Sequence, residues 1–247
     1  MPQAQHIDDV RAILNEIIDH SIKTNDPHGL FACLYRRVTQ RVKDSLGTGY
    51  FEQDDRMESL DVAFANRYLQ AYSAHQKQEP CSFSWQTAFH AGAERKTFLL
   101  RHLLLGINAH INLDLGLAAA QIAPGIAIHD LKKDFDQINA LLGLMVDDTQ
   151  EQLNRFSPLL QWFDRLTGKS DEWLAGFSVL KARDHAWKIA LEAAATSQAQ
   201  ALLNLEWDLD QKVNRWANHL DAPGRWIQLL INMIGWFEPK DTRGVME

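Results

Sequence analysis

GINAHINLDLGLA, residues 106–118, is a helical stretch that is apolar apart from four side chains at every second position. These four are Asn108, His110, Asn112 and Asp114. The apolar residues predict a helix that lies inside the protein, with neighbours on all sides. Each polar group must then find a partner, because an unsatisfied buried amide or carboxylate costs about 1–3 kcal/mol. This stretch therefore predicts both a buried central helix and a polar centre.

Helical geometry sorts the four polar side chains onto two faces. At 100° per residue, His110 and Asp114 stack one turn apart, whereas Asn108 and Asn112 form a second pair on the opposite side. The helix, which we predict over residues 97–120, thus presents two polar ladders to two different neighbours. Because an isolated buried aspartate takes up a proton, Asp114 predicts a buried cation, a metal ion or protonation of its own carboxyl group.

The rest of the chain repeats the helical period, which predicts an all-α fold. Apolar residues recur every three or four positions, as in FACLYRRVTQRVKDSL, residues 31–46. The sequence contains no convincing run of alternating polar and apolar residues, no low-complexity tract and no linker. We therefore predict a single helical-bundle domain, residues 1–247, of about eight helices around a central buried helix. Its ends, residues 1–5 and 240–247, are expected to be disordered.

Composition and charge are those of an ordinary globular protein. Hydrophobic residues make up 46% of the chain and charged residues 23%, and the net charge is −7. Because no long run of Lys and Arg appears, we expect no nucleic-acid partner. Two cysteines are too few for a disulfide framework, and the N-terminal sequence MPQAQHIDDVRAIL does not match a secretory signal. We therefore expect a cytoplasmic protein.

Two apolar segments raise the question of a membrane or a second copy. Residues 98–120 are long enough to span a bilayer, but a charge such as Arg101 or Asp114 at the centre of a span costs about 2.5–3.5 kcal/mol. We therefore expect no stable membrane span. RWIQLLINMIGWFE, residues 225–238, could cover the domain, contact lipid or pair with a second copy, which leaves a homodimer open.

Two motifs carry a family resemblance, NAHINLDL at residues 108–115 and ARDHAW at residues 182–187. The likeness extends to LYRRVT at residues 34–39 and covers most of the chain. The sequence resembles a bacterial family of uncharacterised proteins, marked by N-A-H-I-N-x-D-L and A-R-D-x-A-W and known as a domain of unknown function. This resemblance implies a helical domain with a shared polar centre and brings no established activity.

The polar centre supports two enzyme hypotheses, both hydrolase-like and both acting on a small molecule. In one, His110, Asp114 and His102 bind Zn²⁺ or another divalent metal, which activates water. In the other, Asp114 orients His110 as a general base without a metal. Arg183 could also bind Asp114 through its fork of N–H groups. The predicted substrate-binding residues are Asn108, Asn112, Asp134, Asn139, Arg183 and Asp184.

A non-catalytic function is the alternative to both hypotheses. The His, Asn, Asp and Arg side chains could fix the register of the helices or hold a ligand without reaction. The sequence has no serine nucleophile elbow, no glycine-rich phosphate loop and no Cys-x-x-Cys pair. Covalent serine catalysis, nucleotide binding and a zinc ribbon therefore lose support.

Overall fold

The fold is known from a computed structural model, which describes residues 2–93, 99–138, 141, 179–221 and 243–246. All regular structure in these ranges is helical. The helices are α1 (Ile7–Thr24), α2 (Gly29–Ser45), α3 (Asp54–Gln76), α4 (Phe83–Ala93), α5 (Leu99–Asn108), a π-helix (Ala109–Leu115), α6 (Gly116–Ile122), a 3₁₀ helix (Gly125–Leu131), α7 (Val179–Ala195), α8 (Ala199–Asp221) and α9 (Arg243–Met246). The predicted all-α bundle of about eight helices is confirmed.

The helix α5, the π-helix and α6 run on without a break and form one central helix. Within the described ranges, Arg101–Ile122 is the one helix that is long and apolar enough to cross a membrane by length and composition. In the most apolar stretch of this helix, 83% of the residues are buried inside the protein. The core helix of a folded bundle passes the same test, so the burial agrees with the predicted central position.

Two glycines on the central helix let its neighbours come close. A Cβ atom at Gly106 would lie 2.7 Å from Cδ2 of Phe31 on α2. A Cβ atom at Gly116 would lie 2.5 Å from the backbone oxygen of Ala186 on α7. Both distances are shorter than packed carbon atoms allow. The glycines therefore set the contact of α2 and α7 with the two ends of the π-helix.

The outer helices bury the apolar stripes that the sequence predicts, and the chain ends join them. On α1, Val10, Leu14 and Ile17 are buried as their period requires. Ala4 lies within the N-terminal stretch expected to be disordered, yet it is buried and exchanges two backbone hydrogen bonds with the side chain of Asn66 on α3. Met246 is also buried. Both ends thus contribute packed residues.

Candidate functional site

Asp114 lies at the centre of the bundle and is bound by a cation, which is one of the three outcomes that its burial predicted. Its side chain is 2% exposed. Oδ1 accepts a hydrogen bond from Nε of Arg67 on α3 at 3.0 Å, and Oδ2 accepts one from Nε1 of Trp85 on α4 at 2.9 Å. A second nitrogen of Arg67 binds Glu206 on α8. Arg67 therefore supplies the positive charge beside Asp114 and also links Asp114 to Glu206 on α8.

His110 contacts the same carboxylate and keeps one ring nitrogen unpaired. Nδ1 lies 3.5 Å from Oδ2 of Asp114, at the long limit of a hydrogen bond. Nε2 is buried and has no hydrogen-bond partner in the described part of the chain. Burial lowers the pKa of His110 despite the opposing effect of Asp114, and the charge of Arg67 lowers it further. A neutral imidazole with its hydrogen on Nδ1, facing the acceptor, leaves the lone pair of Nε2 free.

Aromatic rings enclose the imidazole of His110. Phe64 stacks on it with 3.6 Å between ring centroids and 7° between planes. Tyr35 meets it edge-on at 4.5 Å, and Phe31 does so at 5.6 Å. Phe64 is half-buried, whereas His110 is only 4% exposed. Phe64 thus separates the imidazole from solvent on its side of the ring.

Three further buried polar atoms lack partners among the described residues, and two of them lie on rings that face His110. They are the hydroxyls of Tyr35 and Tyr68 and Oδ2 of Asp61. Asp61 lies one turn before Phe64 on α3, and its charge raises the pKa of Tyr35, although burial is the larger cause. Burial, with a smaller effect of nearby Glu58, raises the pKa of Asp61 to about 7. Because almost all buried polar groups in proteins are satisfied, such a group of exceptions indicates a place for bound water or for another bound molecule.

The backbone at His110 differs from the regular α-helix that the sequence predicted. Ala109–Leu115 is a π-helix, in which hydrogen bonds join residues five apart. π-helical turns inside α-helices are rare and occur frequently at functional sites. The prediction of an uninterrupted α-helix is therefore wrong at the segment that carries His110 and Asp114.

The predicted second ladder is confirmed, and it faces another helix. Nδ2 of Asn112 donates to Oδ1 of Asn108 at 2.9 Å, and Nδ2 of Asn108 donates to the backbone oxygen of Val213 on α8 at 3.3 Å. The two amides thus satisfy each other and bind α8. This arrangement gives them a packing role in the structure, and substrate binding by them stays a prediction.

The remaining predicted binding residues gather around the segment that follows the central helix. Asp134 is fully buried and accepts hydrogen bonds from Arg56 and from the backbone at the start of α3. Arg183 donates to the backbone oxygen of Phe135 at 2.7 Å. The prediction that Arg183 binds Asp114 is wrong, because Arg67 binds Asp114 instead. Asp184 is exposed. The last predicted residue, Asn139, lies outside the described residues.

His102 does not join His110 and Asp114 in a metal site. Nδ1 of His102 lies 3.1 Å from the backbone oxygen of Ala88, and its ring is 5.5 Å from that of His28. In the part of the chain that the structure describes, no three His, Cys, Asp or Glu side chains are arranged to hold a metal ion. The described side chains therefore do not fit the predicted zinc or other divalent-metal site.

Sequence reasoning missed the residues that complete the site. Arg67, Phe64 and Asp61 all come from α3, where they recur every three residues along one side of the helix. This spacing could have indicated the site, because a charged residue such as Arg67 on the buried side of a helix requires a partner. Trp85 and Tyr35 carry no comparable signal, because aromatic residues at helical spacing are usually core residues.

Comparison with known proteins gives a family and no activity. A family model described as "Family of unknown function (DUF5995)" matches residues 7–223. The match includes every residue of the site around His110. No curated protein and no solved structure matches the chain. Because the match covers most of its length, the chain belongs to the DUF5995 family of unknown function.

Proposed function

We propose that the protein is a small-molecule hydrolase in which His110 is the general base and Asp114 is the residue that orients it. One observation supports this proposal above the others. Nε2 of His110 is buried and unpaired, while Nδ1 faces a carboxylate that Arg67 and Trp85 hold in place. A carboxylate in this position fixes the tautomer of the imidazole and leaves the other nitrogen to accept a proton.

In the proposed reaction, water is the nucleophile. Nε2 of His110 accepts a proton from water as the water oxygen forms a bond to the substrate. The same proton then passes to the leaving group as the substrate bond breaks, so that the imidazole returns to its neutral form. While it is charged, the imidazolium lies beside Asp114, which stabilises it.

Two groups, one on a ring that contacts His110 and one beside that ring's residue, are suited to donate hydrogen bonds to the negative charge that develops on the substrate. The hydroxyl of Tyr35 is unpaired and lies on a ring in contact with His110. Asp61, with a pKa of about 7, is partly protonated at neutral pH. A neutral carboxylic acid can donate a hydrogen bond, and a pair of groups with separated pKa values suits acid and base roles.

Access to His110 requires Phe64 to move. The two rings are in contact, and Phe64 is the partly exposed member of the pair. The surrounding aromatic rings favour a substrate that has an apolar or aromatic part next to its hydrolysable group. We therefore propose an aryl or alkyl ester, amide or phosphoester of small size as the substrate class.

The test is hydrolysis of a panel of small aromatic esters, amides and phosphoesters by wild type, His110→Gln and His102→Gln. His102 is the matched control, because it is buried on the same helix and also has an unpaired Nε2. General-base catalysis predicts a loss of about 10²–10⁴-fold in His110→Gln and little change in His102→Gln. Equal activity in wild type and His110→Gln would contradict the proposal.

The alternative is a structural or ligand-binding domain without catalysis. The observation that favours it is that both oxygens of Asp114 already have partners within the protein. A buried pair of this kind can serve to align helices. Asp114→Asn separates the two functions: a lower melting temperature with unchanged hydrolysis favours the structural one, and a normal melting temperature with lost hydrolysis favours the enzyme.

A further inference from the structure

Trp85 and His110 share one oxygen of the Asp114 carboxylate. Nε1 of Trp85 donates to Oδ2 at 2.9 Å, whereas Nδ1 of His110 lies 3.5 Å from the same oxygen. The first distance is that of an ordinary hydrogen bond, and the second is at the long limit. Arg67 binds the other oxygen, Oδ1, at 3.0 Å. Oδ2 therefore lies closer to the indole than to the imidazole.

The packing around Trp85 fixes the position of its N–H group. The side chain is 2% exposed, and its ring stacks on Phe89 with 5.3 Å between centroids and 21° between planes. Phe31 and Tyr68 contact the same ring at 5.5 and 5.2 Å. Close packing of this kind leaves a buried side chain little room to move. Oδ2 is thus bound by a side chain that is itself fixed, at 3.5 Å from Nδ1 of His110.

The strength of the contact between Asp114 and His110 matters for proton transfer. A carboxylate beside an imidazole raises its pKa, whereas a general base must be neutral at the working pH to accept a proton. The indole N–H weakens what Oδ2 offers to the imidazole, because two donors share the negative charge of one oxygen. Burial also lowers the pKa of His110. The indole and burial thus act in the same direction, and Asp114 opposes both.

The titratable groups that face His110 are Asp114 on its own helix, Arg67 and Tyr68 on α3, and Tyr35 on α2. Arg67 lowers the pKa of His110 through its charge and binds Oδ1. Both tyrosine hydroxyls are neutral, because burial raises their pKa values, and neither has a partner among the described residues. None of these three side chains therefore shares Oδ2 with His110 as Trp85 does.

We propose that Trp85 is a positioning residue for the general base: its N–H holds Oδ2 of Asp114 and so limits how strongly the carboxylate binds His110. This inference rests on the proposed function, since it gives Trp85 a part in the same reaction. While Oδ2 is shared, the imidazole stays neutral near pH 7 and Nε2 can accept a proton. Without the N–H, Oδ2 is available to His110 alone, the contact shortens, and the imidazole keeps its second proton to higher pH.

The experiment compares wild type, Trp85→Phe and Phe89→Leu by NMR of the His110 ring. Trp85→Phe removes the N–H and keeps an aromatic ring, whereas Phe89→Leu, the matched control, loosens the packing against Trp85 and keeps the N–H. At pH 7 the signal of the hydrogen on Nδ1 should move downfield in Trp85→Phe, because its bond to Oδ2 shortens. The midpoint of the His110 titration should rise by about one pH unit, the equivalent of one hydrogen bond to a charged group. Phe89→Leu should change neither signal.

A second replacement keeps the test decisive if Trp85→Phe fails to fold. 3-Benzothienylalanine, inserted in place of Trp85 by stop-codon suppression, has the shape of tryptophan with a sulfur atom where the indole has its N–H group. It should cause the same two changes at His110. If neither the Nδ1 hydrogen nor the titration midpoint moves, the proposal is overturned, and an equal change in Phe89→Leu overturns it too.

The pH dependence of hydrolysis separates this proposal from the proposed function. In Trp85→Phe the acid limb of the rate profile should move up by about one pH unit, whatever the effect on the maximal rate. A lower rate at every pH with an unmoved limb is the result of a merely structural role and overturns the proposal. If His110→Gln hydrolyses as fast as wild type, the proposed function fails, while the NMR signals of His110 still report on Trp85.

Discussion

Two histidines on the central helix, His102 and His110, share burial but differ in what faces Nδ1. They are 3% and 4% exposed, and Nε2 of each lacks a partner among the described residues. Nδ1 of His102 faces the backbone oxygen of Ala88, whereas Nδ1 of His110 faces the carboxylate of Asp114. A backbone oxygen stabilises a charged imidazole only modestly, whereas the full negative charge of a carboxylate stabilises more strongly the imidazolium that forms during proton transfer.

The surroundings of the two rings extend this difference. Burial lowers the pKa of His102 to about 4, and the neighbouring imidazole of His28 adds to the effect. His28 itself pairs with Asp26 at 2.6 Å and reaches the backbone oxygen of Phe89 at 2.8 Å. In the His102 region the carboxylate of Asp26 thus faces His28, and Nδ1 of His102 is left to a backbone oxygen. In the His110 region the carboxylate contacts the imidazole itself, and two of the rings that face His110 carry unpaired hydroxyls.

The largest expected effect comes from removing the cation that binds the carboxylate beside His110. Arg67→Met leaves Asp114 buried without its charge partner, so we expect the free energy of unfolding to fall by about 3–5 kcal/mol. Urea unfolding measures it. Arg56→Met is the control, because Asp134 keeps two backbone N–H donors when Arg56 is lost. An equal effect of the two variants would show that Asp114 does not depend on Arg67.

The next effect concerns Asp61, whose burial costs stability at neutral pH. Its pKa is raised to about 7, so the folded state holds a proton that the unfolded state loses above about pH 4. Stability from this group is therefore present at low pH and is lost as the pH rises through 7. Asp61→Asn should raise the free energy of unfolding at pH 8 by about 3 kcal/mol and change it little at pH 4.

Urea unfolding of wild type and Asp61→Asn at both pH values makes this measurement, with exposed Asp55→Asn as the control. If Asp61→Asn is less stable than wild type at pH 8, the assignment of Asp61 as a buried, unpaired acid is wrong.

Acid stability tests the His102 side of the comparison. Because the pKa of His102 is lowered to about 4, the unfolded state binds a proton below about pH 6.5 that the folded state refuses. Stability therefore declines as the pH falls from 6.5 to 4. His102→Gln removes this contribution. Between pH 6.5 and pH 4 the free energy of unfolding of wild type should therefore fall by about 2–3 kcal/mol more than that of the variant. Parallel curves for the two proteins would contradict the lowered pKa.

The smallest effect concerns access to the two imidazoles. Phe64→Ala removes the ring stacked on His110, and an aromatic pair contributes about 0.5–1.5 kcal/mol, which is up to about tenfold in the open population. Diethyl pyrocarbonate modification, followed residue by residue with mass spectrometry, should thus become up to about tenfold faster at His110. The rate at His102 should stay the same. Equal acceleration at both residues would indicate general loosening of the bundle.

Much of the fold followed from the sequence because helical periodicity is a local signal. The burial of residues 106–118 and the pairing of His110 with Asp114 required only the period of the helix and the cost of unsatisfied polar groups. The π-helix could not be predicted in this way. It lies just before Gly116, whose close contact with α7 comes from a segment about 70 residues later in the chain.

The partner of Asp114 shows the same limit for the site. Sequence reasoning named Arg183 and missed Arg67, because a local pattern does not show which helix faces Asp114. The choice of Arg183 failed because it lies against Phe135. The positions of Phe64 and Tyr35 beside His110 were not predicted, because they depend on how α2 and α3 pack. Contacts between residues of separate helices can be recognised only once the tertiary fold is known.

The most direct test of the central claim is the tautomer and charge of His110, measured by ¹⁵N–¹H NMR of the imidazole ring across pH. We predict a neutral ring at pH 7 with its hydrogen on Nδ1 and none on Nε2. In Asp114→Asn we expect the signals of the other tautomer or of a fast-exchanging mixture of the two. A ring at pH 7 that carries hydrogen on Nε2, or on both nitrogens, would contradict it.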